Sequence, residues 1–104
     1  GVGPIPAVQN LLKNTGLSIS DCDVIESNEA FAAQAIAVNR GLDLDPKVVN
    51  PNGGAIALGH PVGATGAIIT LKALYQLEII NGKRALITMC IGGGQGIALA
   101  IERI

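Results

Sequence analysis

A chain of 104 residues with a net charge of -1 at pH 7 can bury one hydrophobic core and carries no electrostatic signal for nucleic acid. Hydrophobic residues make up 49% of the chain and charged residues 14%, against roughly 25% in an average soluble domain. One Phe, one Tyr and no Trp leave no stacking platform for bases, and no apolar run approaches the ~20 residues of a membrane span. Nucleic acids and membranes are therefore excluded as partners.

The first half of the chain predicts a helix, a strand and a second helix. Residues 4–15 carry apolar side chains at helical spacing, with proline near the start and Gly16 placed to end the helix. Residues 22–27 are typical of a short strand, and residues 29–40 of an alanine-rich helix that ends at Gly41. Because this second helix is apolar around most of its circumference, we expect it to be covered on more than one side.

The second half predicts a strand, a helix and two further strands. The segment KVVN, residues 47–50, is typical of a short strand, and a helix is expected from about Ala64 to Ile80. Residues 84–90 and 96–104 read as strands joined by a short connection, which favours antiparallel neighbours. The order α, β, α, β, α, β, β predicts an α/β fold with a mostly parallel sheet, one antiparallel edge strand and helices on both faces.

The two cysteines, Cys22 and Cys90, lie far apart and form no CxxC pair, and the chain has a single histidine. A metal cluster is therefore not expected, and reduced thiols in a cytoplasmic compartment are the simplest interpretation. The opening residues GVGPIPAV lack the basic and apolar regions of a signal peptide and read as the middle of a longer protein. In a eukaryote, mitochondria or peroxisomes would be equally consistent.

Three polar residues follow predicted strands, so they are expected at one edge of the sheet. Asn28 follows the first strand, His60 lies in the loop after KVVN, and Cys90 ends the strand RALITMC. Each also has a structural interpretation: Asn commonly caps a helix, a lone His is commonly held by hydrogen bonds, and a lone Cys commonly packs. Glu29 is interpreted as a first-turn residue favoured by the helix dipole.

Glycines surround two of these residues. Cys90 is followed by Gly92, Gly93 and Gly94, and His60 is preceded by Gly59. Bare backbone lets a substrate carbonyl approach N–H donors, which is the arrangement that an oxyanion hole requires. A phosphate loop is the competing interpretation, but neither glycine run fits GxGxxG or GxxxxGK[ST] between a strand and a helix.

Three segments closely resemble the motif blocks of the thiolase C-terminal domain: NEAFAAQA at 28–35, NGGAIALGHPVGATGA at 52–67 and CIGGGQGIA at 90–98. The resemblance covers essentially the whole chain, and the nearest subgroup is acetyl-CoA C-acetyltransferase. It implies Claisen condensation of two acetyl-CoA molecules to acetoacetyl-CoA and CoA, or the reverse thiolysis. A 3-ketoacyl-CoA thiolase for longer chains and a non-catalytic assembly module remain alternatives.

The resemblance also implies a role for each motif residue. Cys90 matches the acid/base cysteine that removes the α-proton of the incoming acetyl-CoA. His60 matches the residue that activates the nucleophile and helps bind a thioester oxygen, and Asn28 completes that oxyanion hole through a water. The N–H of Gly92 matches a donor of the second oxyanion hole. No metal and no cofactor is implied beyond the substrates acetyl-CoA and CoA.

The remaining implications concern the substrate pocket and what the chain lacks. Ala30 and Phe31 would line the acyl pocket, and Ile68 stands where the family usually has Arg. The family's nucleophilic cysteine lies in an N-terminal half, and Cys22 does not occupy a strand-to-helix nucleophile position. The family's C-terminal half also begins with a central strand that would precede GVGPIP. We therefore expect a fragment that is inactive alone, that pairs with the missing N-terminal thiolase domain, and that belongs to a homo-oligomer.

Overall fold

A computed structural model describes residues 1–104, in which helices cover both faces of a three-stranded sheet. In chain order the helices are α1 (Pro4–Thr15), α2 (Ala32–Gly41), α3 (Ala55–Leu58) and α4 (Thr65–Ile80). A 3-10 turn spans Ile19–Asp21, and the strands are β1 (Val24–Ser27), β2 (Arg84–Cys90) and β3 (Gly96–Glu102). The sheet has the order β1-β2-β3, with β1 parallel and β3 antiparallel to β2. The predicted α/β fold, with β3 as an antiparallel edge strand, is confirmed.

Alternating side chains of β1 and β2 build one apolar layer on each face of the sheet, because successive residues of a strand point to opposite faces. Between the sheet and α4 lie the buried side chains of Val24, Ile69, Ala73, Leu77, Ala85 and Ile87. On the opposite face, beneath α1, lie those of Val8, Cys22, Ile25, Leu44 and Leu86. The predicted helix at 4–15 has the expected bounds, and Gly16 ends it with a left-handed φ of 74°.

The prediction of a strand at KVVN is wrong. Val49 makes a single parallel bridge to Ile25, and the chain leaves the sheet at Asn50, whose φ is 46°. The Asn50 side chain continues the pairing in place of backbone: its Oδ1 accepts from the Ser27 N–H at 2.9 Å and its Nδ2 donates to Ser27 O at 2.8 Å. The described sheet is consequently mixed, with one parallel and one antiparallel pair of strands.

The second helix begins at Ala32 rather than at residue 29, because Phe31 has an extended backbone with a φ of -143°. The four-residue helix α3 was not predicted and follows directly from Gly54. Much of the remaining surface of α4 is apolar and exposed, including Leu71, Tyr75 and Ile79. No helix has both the length and the apolar character needed to span a bilayer.

Candidate active site

Asn28 and His60 meet at the carboxyl edge of the sheet. Asn28 directly follows β1, and its backbone N–H donates to Thr88 O on the neighbouring strand at 3.0 Å, which holds the residue in place. The residue is buried, and its Nδ2 lies 3.5 Å from Nε2 of His60. The structure thus brings together two of the predicted site residues, which are 32 positions apart in the chain.

The other side of the His60 ring contacts a residue that the sequence analysis missed. Nδ1 lies 2.7 Å from the hydroxyl oxygen of Thr65, and that hydroxyl donates to Pro61 O at 3.0 Å. Thr65 is the first residue of α4 and is 3% exposed. The sequence signal that could have identified Thr65 is a hydroxyl residue at the start of a predicted helix, five residues after the only histidine.

Cys90 ends β2, one strand away from Asn28, and carries a free, half-buried thiol. The loop that follows contains Gly92, Gly93 and Gly94, with φ values of 89°, 57° and 78°. The loop is closed by a hydrogen bond from the Gln95 N–H to Gly92 O at 3.0 Å. The N–H groups of the three glycines donate to no atom of the chain, and a Cβ at any of them would meet nothing within 4 Å. These donors can therefore reach a ligand oxygen.

The Glu29 side chain contacts the glycine-rich segment that leads to His60. Its Oε1 accepts the backbone N–H of Ile56 at 3.2 Å, and it lies against Gly54 so closely that a Cβ there would overlap the carboxylate. The interpretation of Glu29 as a first-turn helix residue is wrong, because the helix begins three residues later. A larger residue at position 54 would displace the Glu29 carboxylate from this contact.

A buried ion pair lies next to Asn28. Glu26 on β1 is 1% exposed, and its Oε1 is 3.3 Å from Nζ of Lys72 on α4, which also donates to Gly53 O at 2.5 Å. Burial raises the pKa of the Glu26 carboxyl, and the charge and hydrogen bond of Lys72 oppose that rise. Glu26, Asn28, Lys72 and Ile68 line a common cavity of about 100 Å³. Ile68, which stands where the family usually has Arg, thus lines the same cavity as Lys72.

The other predicted residues lie apart from this cluster. Phe31 is 71% exposed and Ala30 is half-buried in the link between β1 and α2, so their role in an acyl pocket stays a prediction. Cys22 is buried just before β1, at the end of the parallel strand pair opposite to Cys90. Burial raises the pKa of its thiol, and the neighbouring Asp21 and Asp23 add to the effect. This environment disfavours a thiolate at Cys22.

The family model described as "Thiolase, C-terminal domain" matches residues 1–103 of this chain. The whole chain is 64% identical to the β-ketothiolase BktB of Cupriavidus necator and 60% identical to a β-ketoadipyl-CoA thiolase of Pseudomonas knackmussii. An acetyl-CoA acetyltransferase of Paracoccus denitrificans is 54% identical over 99% of the chain. In each case the chain spans 26% of the relative's length.

The same relationship holds for solved structures. A crystal structure of human mitochondrial 3-ketoacyl-CoA thiolase in complex with CoA superimposes with a TM-score of 0.96 and is 52% identical. The match covers 99% of this chain and 26% of that one. The motif residues, the fold and these matches agree, and the chain belongs to the thiolase family as its C-terminal domain.

Proposed function

We propose that this chain supplies the acid/base half of the active site of an acetyl-CoA acetyltransferase. The enzyme would condense two acetyl-CoA molecules to acetoacetyl-CoA and CoA, or run the reverse thiolysis. The observation that carries the proposal is the pairing of Asn28 with His60 at one edge of the sheet. At the same edge, β2 ends at Cys90, and the following glycines have N–H groups without a partner in the chain. No metal or further cofactor enters this scheme, which uses only CoA thioesters and protein groups.

Each group has a chemical task in this proposal. The α-carbon of a thioester is a weak acid, so its deprotonation at neutral pH needs a placed base and donors for the developing enolate oxygen. The Cys90 thiolate takes the proton, and His60, together with a water on Asn28, stabilises the enolate oxygen. The enolate carbon then attacks the acetyl group carried by the nucleophile, whose thioester oxygen is held by the N–H of Gly92. The nucleophilic thiolate is released as the new carbon–carbon bond forms.

The nucleophile is proposed to come from an N-terminal thiolase half. Cys90 is assigned to proton transfer, and Cys22 is buried at the opposite end of the strand pair. We therefore expect the 104-residue chain alone to release no CoA from acetyl-CoA. The exposed apolar side chains of α4 support a covering domain or subunit, in line with an oligomeric enzyme.

The experiment uses the full-length protein that carries this chain. A Cys90→Ala enzyme should be acetylated by acetyl-CoA, releasing one CoA per site, and should form no acetoacetyl-CoA. A Cys22→Ala enzyme, changed at the other cysteine of the chain, is the matched control and should do both. Loss of acetylation in Cys90→Ala with condensation intact would reverse the assignment, and a wild-type enzyme that releases no CoA would favour an assembly module.

A 3-ketoacyl-CoA thiolase for longer chains is the second candidate. It is supported by the higher identity to relatives named β-ketothiolase and β-ketoadipyl-CoA thiolase, at 64% and 60%, than to the acetyl-CoA acetyltransferase, at 54%. Thiolysis of acetoacetyl-CoA and of 3-ketooctanoyl-CoA, measured as kcat/KM on the same enzyme preparation, separates the two. A higher value for the longer substrate would select this second candidate.

A further inference from the structure

We infer that Thr65 is a positioning residue that fixes the tautomer of His60. Its hydroxyl oxygen accepts the Nδ1–H of the imidazole, so that the lone pair is left on Nε2, on the side of Asn28. This inference deepens the proposed function and rests on it, together with the motif-based expectation that His60 activates the nucleophile. The contact that carries it is the 2.7 Å separation of His60 Nδ1 and Thr65 Oγ1.

The first step concerns the single hydrogen of the Thr65 hydroxyl. That hydrogen is directed to Pro61 O, 3.0 Å away, so Oγ1 is left with lone pairs only toward the histidine. Pro61 O also receives the backbone N–H groups of Ala64 and Thr65, at 2.8 and 2.9 Å, which closes the loop beneath the ring. With Thr65 3% exposed, solvent has little access to this contact. With the hydroxyl hydrogen on Pro61 O, we assign Nδ1 as the donor to Oγ1.

The placement of the other ring nitrogen is consistent with the same tautomer. Nε2 of His60 faces Nδ2 of Asn28 at 3.5 Å, and an amide nitrogen can only donate. In the neutral ring, the lone pair of Nε2 faces this amide hydrogen across a long contact. The Asn28 oxygen, Oδ1, is buried and has no hydrogen-bond partner in the chain, and the same holds for Oε2 of Glu26. Both residues line the 100 Å³ cavity.

The tautomer matters because only a nitrogen with a lone pair can take a proton from a thiol. The hydrogen bond made by one ring nitrogen decides which nitrogen carries the proton in neutral histidine. With Thr65 holding Nδ1–H, Nε2 is the ring nitrogen that can accept a proton from the nucleophile, because its contact with Asn28 is long, at 3.5 Å. Once protonated, Nε2–H gives up that contact and donates to the thioester oxygen, while Nδ1 keeps its bond to Thr65. One hydroxyl therefore serves both proposed tasks of His60.

The kinetic test uses three variants of the full-length enzyme. Thr65→Val keeps the shape of the side chain and removes the hydroxyl, whereas Thr65→Ser keeps the hydroxyl. Thr70→Val is the matched control, because its hydroxyl makes the same bond four residues back in α4, to Gly66 O at 2.7 Å, and contacts no histidine. Thr65→Val should slow the acetylation burst by roughly 10- to 100-fold, by analogy with the range for hydrogen-bond partners that orient metal-ligating histidines. Thr65→Ser and Thr70→Val should stay close to wild type.

The spectroscopic test reads the tautomer directly. Nitrogen-15 spectra of the histidine side chains, assigned by comparison with His60→Gln, should show a protonated Nδ1 and an unprotonated Nε2 in the wild type. In Thr65→Val the two tautomers should exchange. A wild-type enzyme with the proton on Nε2, or a Thr65→Val burst equal to that of the wild type, would overturn the inference. If the wild type is not acetylated at all, the proposed function fails, and these spectra still decide the role of Thr65.

Discussion

Replacing Lys72 by Met removes the only cation within ion-pair distance of Glu26, whose side chain is 2% exposed. The carboxylate must then stay charged without a partner or take up a proton. Protonation at pH 7 costs about 3 kcal/mol, from about 1.36 kcal/mol per unit between pH 7 and the ordinary carboxyl pKa of 4.5. The lost hydrogen bond to Gly53 O adds about 1 kcal/mol. We expect Lys72→Met to lower the free energy of unfolding by about 4 kcal/mol at pH 7.

The same reasoning predicts the pH dependence of this loss. Without Lys72, the pKa of folded Glu26 rises further above its unfolded value, so the stability of the fold is greatest at low pH and decreases as pH rises through that pKa. At pH 5 the protonation cost is about 0.7 kcal/mol, and the total loss should be about 2 kcal/mol. Urea denaturation of wild type and variant at both pH values measures the difference.

Two further variants make the test specific. In Glu26→Gln/Lys72→Met no charge is left to bury, so the loss should be the same at both pH values and smaller than that of Lys72→Met at pH 7. Lys83→Met breaks the exposed pair with Glu102, with atoms 3.8 Å apart, and should cost under about 1 kcal/mol. An equal loss for Lys72→Met at pH 5 and pH 7 would refute the account of Glu26 as the buried charge.

Two other predictions concern backbone packing and a strand entrance. A Cβ at Gly96 would overlap the backbone of Gly3, so Gly96→Ala should lower the melting temperature by an amount corresponding to about 1–3 kcal/mol. A Cβ at Gly63 would meet no atom within 4 Å, so Gly63→Ala should be nearly neutral. Equal melting temperatures for the two variants would contradict this prediction. Two backbone N–H groups at the start of β2 lower the pKa of Asp23 from its ordinary 3.8, and this stabilisation is present above pH 3.8 and lost as pH falls through the lowered pKa. Asp23→Asn should therefore be less stable than wild type at pH 7, and this difference in stability should disappear in acid. A difference in thermal stability that does not change with pH would contradict the prediction.

Local sequence patterns were sufficient to predict α1 and β2, because their signals lie within the elements themselves or in the next residue. The apolar spacing of 4–15 with Gly16 after it defined α1, and the run RALITMC defined β2, whose two faces pack against different helices. The predicted strand ends placed Asn28 and Cys90 at one edge of the sheet, and the motif blocks indicated the family whose model matches residues 1–103. These features depend on neighbouring residues, so they can be read before the chain is folded.

Contacts between distant residues were decided only by tertiary packing. KVVN has strand propensity, yet Asn50 turns out of the sheet and pairs with Ser27 through its side chain, which no local pattern specifies. Glu26 and Lys72 are 46 positions apart in the chain, and they form an ion pair only because α4 packs on β1. By itself the sequence determined which residue types are present and which short elements they favour. Packing decided which of their polar atoms meet, because burial removes water and leaves each polar group dependent on the partner that the fold brings to it.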